Sequence, residues 1–123
     1  EVIYNSMEAI LQKWKPDAVA IEKLFFNSNQ KTAIQVAEAR GVILLAAQKA
    51  GVSISEYTPL QVKQAVTGYG QAQKPQVMEM TKRLLCLNQM PKLDDTCDAL
   101  AMAICHGQAA GSTLRRTMLS GRM

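Results

Sequence analysis

Residues 18–57 constrain the fold more than any other stretch. Ala18-Val19-Ala20-Ile21 is a short, nearly continuous apolar run. Its length and Val/Ile content are those of a buried strand in a sheet covered on both faces. A helical pattern over residues 31–50 follows, and Gly51 stops it as the residue just past the helix end. Val52, Ile54 and Tyr57 then alternate imperfectly and read as a second strand. Strands alternating with helices favour a parallel α/β arrangement.

Helical patterns flank this unit. Val2, Ile3, Met7, Ile10, Leu11 and Trp14 recur at steps of three and four, which makes an amphipathic helix. Pro16 closes it, because proline disfavours helix for the residue before it. The helix at residues 31–50 is apolar nearly all round in its second half, through Val42, Ile43, Leu44, Leu45 and Ala47. Such a helix is buried, as a core helix or as a dimer face. Thr58-Pro59 then opens a short helix, with Thr58 as cap and Pro59 at the first position. Residues 67–73 form a Gly-containing loop without a P-loop pattern. Lys74-Pro75 starts a helix to about residue 85. A loop with Pro91 follows, and a last apolar helix runs to about His106, which marks its C-terminus. Residues 108–123 are weakly patterned and carry Arg115, Arg116 and Arg122, as a partly ordered basic tail.

Composition excludes several classes. A chain of 123 residues with 48% apolar content is a globular domain with one core. No apolar run reaches the roughly 18 residues of a membrane span, and residues 41–47, the longest candidate, fall far short. The opening Glu-Val-Ile-Tyr shows no basic region before an apolar stretch, as a secretory signal would, and the cysteines set the expectation of a reducing cytoplasm. Cys86, Cys97 and Cys105 show no Cys-x-x-Cys spacing, so free thiols are expected, and one histidine leaves no second ligand pair for zinc.

Glu22 and the pair Asp95 and Asp98 carry the candidate chemistry. Glu22 follows the first strand directly, at the end of the strand where ligands bind in open α/β sheets. Asp95 and Asp98 are three apart, so a helix puts them on one face. One reading is first-turn acids beside an N-cap. The other is a divalent cation held by hard oxygen ligands. With all three acids in a metal site, 14 basic residues face 7 remaining acids. That excess suits a polyanion such as nucleic acid. Phe25 and Phe26, adjacent in a polar loop, either anchor that loop or present a ring to a base.

Six blocks extend this reading. They are residues 20–27 (Ala-Ile-Glu-Lys-Leu-Phe-Phe-Asn), 38–42, 56–59, 61–70 (Gln-Val-Lys-Gln-Ala-Val-Thr-Gly-Tyr-Gly), 74–77 and 95–101 (Asp-Thr-Cys-Asp-Ala-Leu-Ala). In order and spacing they resemble the bacterial RuvC Holliday junction resolvases over about residues 2–107. The resemblance implies an RNase H-like fold, a central mixed sheet flanked by helices. It implies a homodimeric, Mg²⁺-dependent endonuclease, with Mn²⁺ as a substitute, that cuts four-way junction DNA symmetrically in recombination and repair. A junction-migrating helicase complex is the implied partner. Glu22, Asp95 and Asp98 resemble three of the family's four metal-binding acids. Phe25 resembles the aromatic that stacks near the junction centre, and Lys63 and Lys74 resemble the phosphate-contacting basic residues. The helix around Arg40 and Gly41 resembles the dimer helix. Asp94 matches no invariant acid and is set aside as a cap or spectator.

The family's first three strands and its Asp-Pro-Gly-like acid have no counterpart here, and residues 1–14 match the helix that follows them. The expectation is therefore a fragment, with residues 1–107 as nuclease core and 108–123 as tail, inactive or weakly active as given. Two alternatives stand beside the resolvase: a dimeric junction-binding module without catalysis, and another nuclease of this fold acting on RNA or other branched DNA.

Overall fold

The computed structural model describes the backbone of residues 1–23 and 30–120 and the side chains of residues 1–23 and 32–111. Helix α1 spans Val2–Trp14, strand β1 Ala18–Glu22, helix α2 Gln30–Lys49 and strand β2 Ser53–Tyr57. Helices α3 (Pro59–Thr67), α4 (Lys74–Leu84) and α5 (Asp94–Ser120) complete the order. The chain divides into two compact units, residues 1–56 and 57–123.

In the first unit, β1 and β2 pair as a two-stranded parallel sheet, joined through α2. Helix α1 packs on α2, and Leu11, Ala46 and Ala47 are buried there. Lys15 ends α1 in the left-handed conformation, and its N–H donates to the Leu11 carbonyl. Two expectations need correction. Ala18 to Ile21 are half-buried rather than covered on both faces, since the described sheet has only two strands to share the cover. Helix α2 is also not buried all round. Ala46 and Ala47 face inward, whereas Ile34 is 57% and Leu45 49% exposed.

In the second unit, α3, α4 and α5 pack against one another. Val66, Ala72, Thr81, Cys97, Ala101 and Cys105 form its core. Fully buried Thr81 satisfies its hydroxyl by donating to the Val77 carbonyl at 2.7 Å. Helix α3 is fixed at its start by a capping box. Gln61 N–H donates to Thr58 Oγ1 at 3.1 Å, and Thr58 N–H donates to Gln61 Oε1 at 2.7 Å. Gly68 ends α3 at φ 79°, a conformation that glycine adopts without steric cost.

Helix α5 differs most from expectation, because it continues past His106 to Ser120. Gly107 and Gly111 are absent from the left-handed positions that end α2 and α3. A helical glycine costs only about 1 kcal/mol relative to alanine, too little to break a run containing Gln108, Ala109 and Ala110. His106 therefore sits within the helix rather than at its end. Its Nδ1 lies 2.7 Å from the Tyr57 hydroxyl, and the two rings meet edge-on at 5.8 Å.

Candidate functional site

The acids Asp95 and Asp98 stand at the start of α5. The Leu93 carbonyl accepts from Cys97 N–H at 3.2 Å, so Leu93 takes the cap position. Asp94 and Asp95 fall in the first turn, and Asp98 begins the next. All three are exposed, at the helix end that favours anions. Between them, Cys97 turns inward: it is 2% exposed, and its thiol donates to the Pro91 carbonyl at 3.2 Å. The local geometry thus presents carboxylate oxygens outward and withdraws the soft sulfur ligand.

Lys74 meets this acidic turn. It is the first residue of α4; the Gln76 side chain accepts from Gln73 N–H at 2.8 Å at the helix start, and Pro75 stiffens its first turn. Lys74 Nζ lies 2.5 Å from Asp94 Oδ2, 3.2 Å from Asp98 Oδ1 and 3.4 Å from Asp98 Oδ2. Hydrogen bonds to Asp94, then to Asp98, hold the ammonium above the ordinary lysine range. Asp94, set aside in the sequence as a cap or spectator, is thus paired with Lys74. The available signal was its i,i+4 relation to Asp98, which puts the two carboxylates on one helix face.

Lys63 lies on α3, half-buried, and no ion pair engages it among the described residues. Its carbonyl accepts from the Thr67 hydroxyl at 2.7 Å. That hydroxyl oxygen also accepts from Tyr69 N–H at 3.1 Å, which fixes the loop between α3 and α4.

In the first unit, Glu22 is the last residue of β1, with its side chain exposed. Solvent meets the cost of charge that a buried strand end would impose. Arg40 on α2, only 17% exposed at its side chain, holds this end of the sheet. Its Nε donates to the Glu22 carbonyl at 3.3 Å and its Nη2 pairs with Glu56 Oε1 at 3.1 Å. Glu56 is the penultimate residue of β2, so one guanidinium spans the C-terminal ends of both strands. Phe25 lies outside the described residues.

Glu22 thus belongs to one compact unit and Asp95 and Asp98 to the other. Among the described residues, no group of three or more His, Cys, Asp or Glu side chains is gathered as a metal cage. Nor is any helix there long and apolar enough to cross a membrane.

Comparison with known proteins places these features. Residues 1–106 match the family Crossover junction endodeoxyribonuclease RuvC. Among curated relatives of that name, the Halothermothrix orenii protein is 60% identical over 109 residues, covering 89% of this chain and 66% of the relative. The Ruminiclostridium cellulolyticum protein is 57% identical over 108 residues, covering 88% of this chain and 65% of the relative. The chain therefore spans just under two thirds of the length of these relatives. A solved structure of Thermus thermophilus RuvC matches with a TM-score of 0.83 and 38% identity, over 90% of this chain and 67% of that one. A second, T. thermophilus RuvC in complex with Holliday junction substrate, matches with a TM-score of 0.83 and 39% identity, over 88% of this chain and 66% of that one. With an α/β structure that superposes on these and a family match covering most of its length, the chain belongs to the RuvC crossover junction endodeoxyribonuclease family and has its RNase H-like fold.

Proposed function

We propose that this chain supplies the core of a structure-selective endonuclease that resolves four-way DNA junctions by metal-dependent phosphodiester hydrolysis. The observation that carries the reading is the match at 39% identity to a RuvC seen with its Holliday junction substrate. Glu22, Asp95 and Asp98 are the metal-holding acids, and Lys63 and Lys74 contact phosphate. Phe25 stacks on a base near the junction centre. Residues 1–107 form the nuclease core and residues 108–123 a basic extension.

The donor chemistry around α5 fits a hard cation. Carboxylate oxygens are exposed there, while the Cys97 thiol faces the core. Mg²⁺ is the cation proposed, with Mn²⁺ able to replace it. Such a cation, when bound, activates water and neutralises charge on the phosphodiester. The chain's own part is to hold the acids on fixed elements. Arg40 fixes the Glu22 backbone from α2, and the first two turns of α5 fix Asp95 and Asp98. The half-exposed Ile34 and Leu45 of α2 support homodimer formation through that helix. Three free thiols accord with a reducing cytoplasm.

Asp98→Asn in the full-length protein tests the reading. Its carboxamide removes an anionic ligand and leaves the basic surface, so junction binding should persist while cutting is abolished. Full cutting by this variant would refute the assignment.

A further inference from the structure

We infer that Asp94 is a positioning residue, whose task is to hold the Lys74 ammonium beside Asp98 and to keep it there when Asp98 takes a metal. The inference rests on the proposed nuclease reading and extends it to a residue outside the acids named above.

Three observations lead to it. First, the Lys74 ammonium bridges the two acids, within hydrogen-bond reach of Asp94 Oδ2 and 3.2 and 3.4 Å from the two oxygens of Asp98. Second, the arrangement is weakly motivated by stability. Lys74 stands in the first turn of α4, where a helix disfavours a cation. Asp94 already has the favourable end of α5. Both side chains are about half exposed or more, and exposed pairs add little to folding. Third, Asp94 and Asp98 are one helical turn apart on one face, so an ammonium between them has two anchors.

A cation binding Asp98 competes with Lys74 for the same oxygens. With Asp94 present, the ammonium gives up Asp98 and stays within a turn of it, where it can meet a phosphate oxygen bound at the metal acids. Without Asp94, Lys74 has only Asp98 to rest on. It then opposes the metal and loses its position for phosphate.

The test is a double-mutant cycle in the full-length protein, with Asp94→Asn, Lys74→Met, both together, and Asp94→Glu. Two quantities are read: the Mn²⁺ dissociation constant by calorimetry, and the single-turnover cutting rate on a saturating four-way junction. Asp94→Asn alone should weaken Mn²⁺ binding by about threefold or more and slow cutting about tenfold, with the junction Kd unchanged. On the Lys74→Met background it should change neither, and Asp94→Glu should restore both. Equal effects of Asp94→Asn with and without Lys74 would overturn the inference, since Asp94 would then act on the metal directly. No effect of Asp94→Asn on either background would overturn it too. A wild-type protein that neither binds Mn²⁺ nor cuts would overturn the nuclease reading, and this inference with it.

Discussion

Lys74 Nζ lies 3.2 Å from Asp98 Oδ1, so a residue assigned to phosphate and one assigned to metal face each other across two helix N-termini. The aspartates hold the Lys74 ammonium above its ordinary range, Asp94 contributing first and Asp98 second. A raised lysine pKa adds stability that is fully present below the unfolded-state value, about 10.4. That stability is lost as pH rises through the folded value. The stability difference between wild type and Lys74→Met should therefore stay constant from about pH 7 to 9 and shrink only above about pH 10. Urea denaturation of both proteins across that range measures it. A difference that changes near neutrality would show that another group titrates with the pair.

Lys63 differs from Lys74 in having no acid partner among the described residues. A lysine free of internal pairing that meets phosphate releases about one counterion. Lys63→Ala should weaken junction binding and lower the slope of log Kd against log salt by about 1. Fluorescence anisotropy over a salt series reads the slope. An unchanged slope would place Lys63 outside the DNA path.

Arg40 joins the two strand ends through the Glu22 carbonyl and the Glu56 carboxylate. Arg40→Met removes both contacts and should destabilise the fold by about 1.5–3 kcal/mol, the range for hydrogen bonds to charged groups. Arg40→Lys should recover only part of this, since a single ammonium lacks the fork that spans both acceptors. Chemical denaturation of the two variants separates these outcomes. Equal stability of Arg40→Lys and wild type would argue against the bridging geometry.

Helix α3 is fixed at both ends by local chemistry. Thr58→Ala removes the acceptor for Gln61 N–H and should cost about 1 kcal/mol. Gly68→Ala places a Cβ at φ 79° and should cost about 1 kcal/mol or more. Denaturant midpoints with unchanged slopes would confirm both.

Much of this fold was legible in the residue order. Pro16, Gly51, Thr58-Pro59 and Lys74-Pro75 act through their own backbone geometry and their nearest neighbours, and each marks an element boundary where expected. Helix α5 was the exception among local features. His106 and a weakly patterned basic segment suggested an early end, but Gly107 and Gly111 are not enough to stop a run of good helix formers. The degree of burial was also misjudged, for β1 and α2, since apolar content states what can be buried and not what covers it.

By itself, the sequence determined the alternation of strand and helix, the placing of Glu22 at a strand end, and the setting of Asp95 and Asp98 one turn apart at a helix start. Those relations span a few residues and follow from the periods of 2 and 3.6. Only the tertiary structure decided that Lys74 closes on Asp94, 20 positions away, and that Arg40 reaches back 18 positions to Glu22. Those partners meet because helices pack and a crossover returns the chain to its sheet. No local spacing encodes which long side chain then falls within reach of which carboxylate or carbonyl.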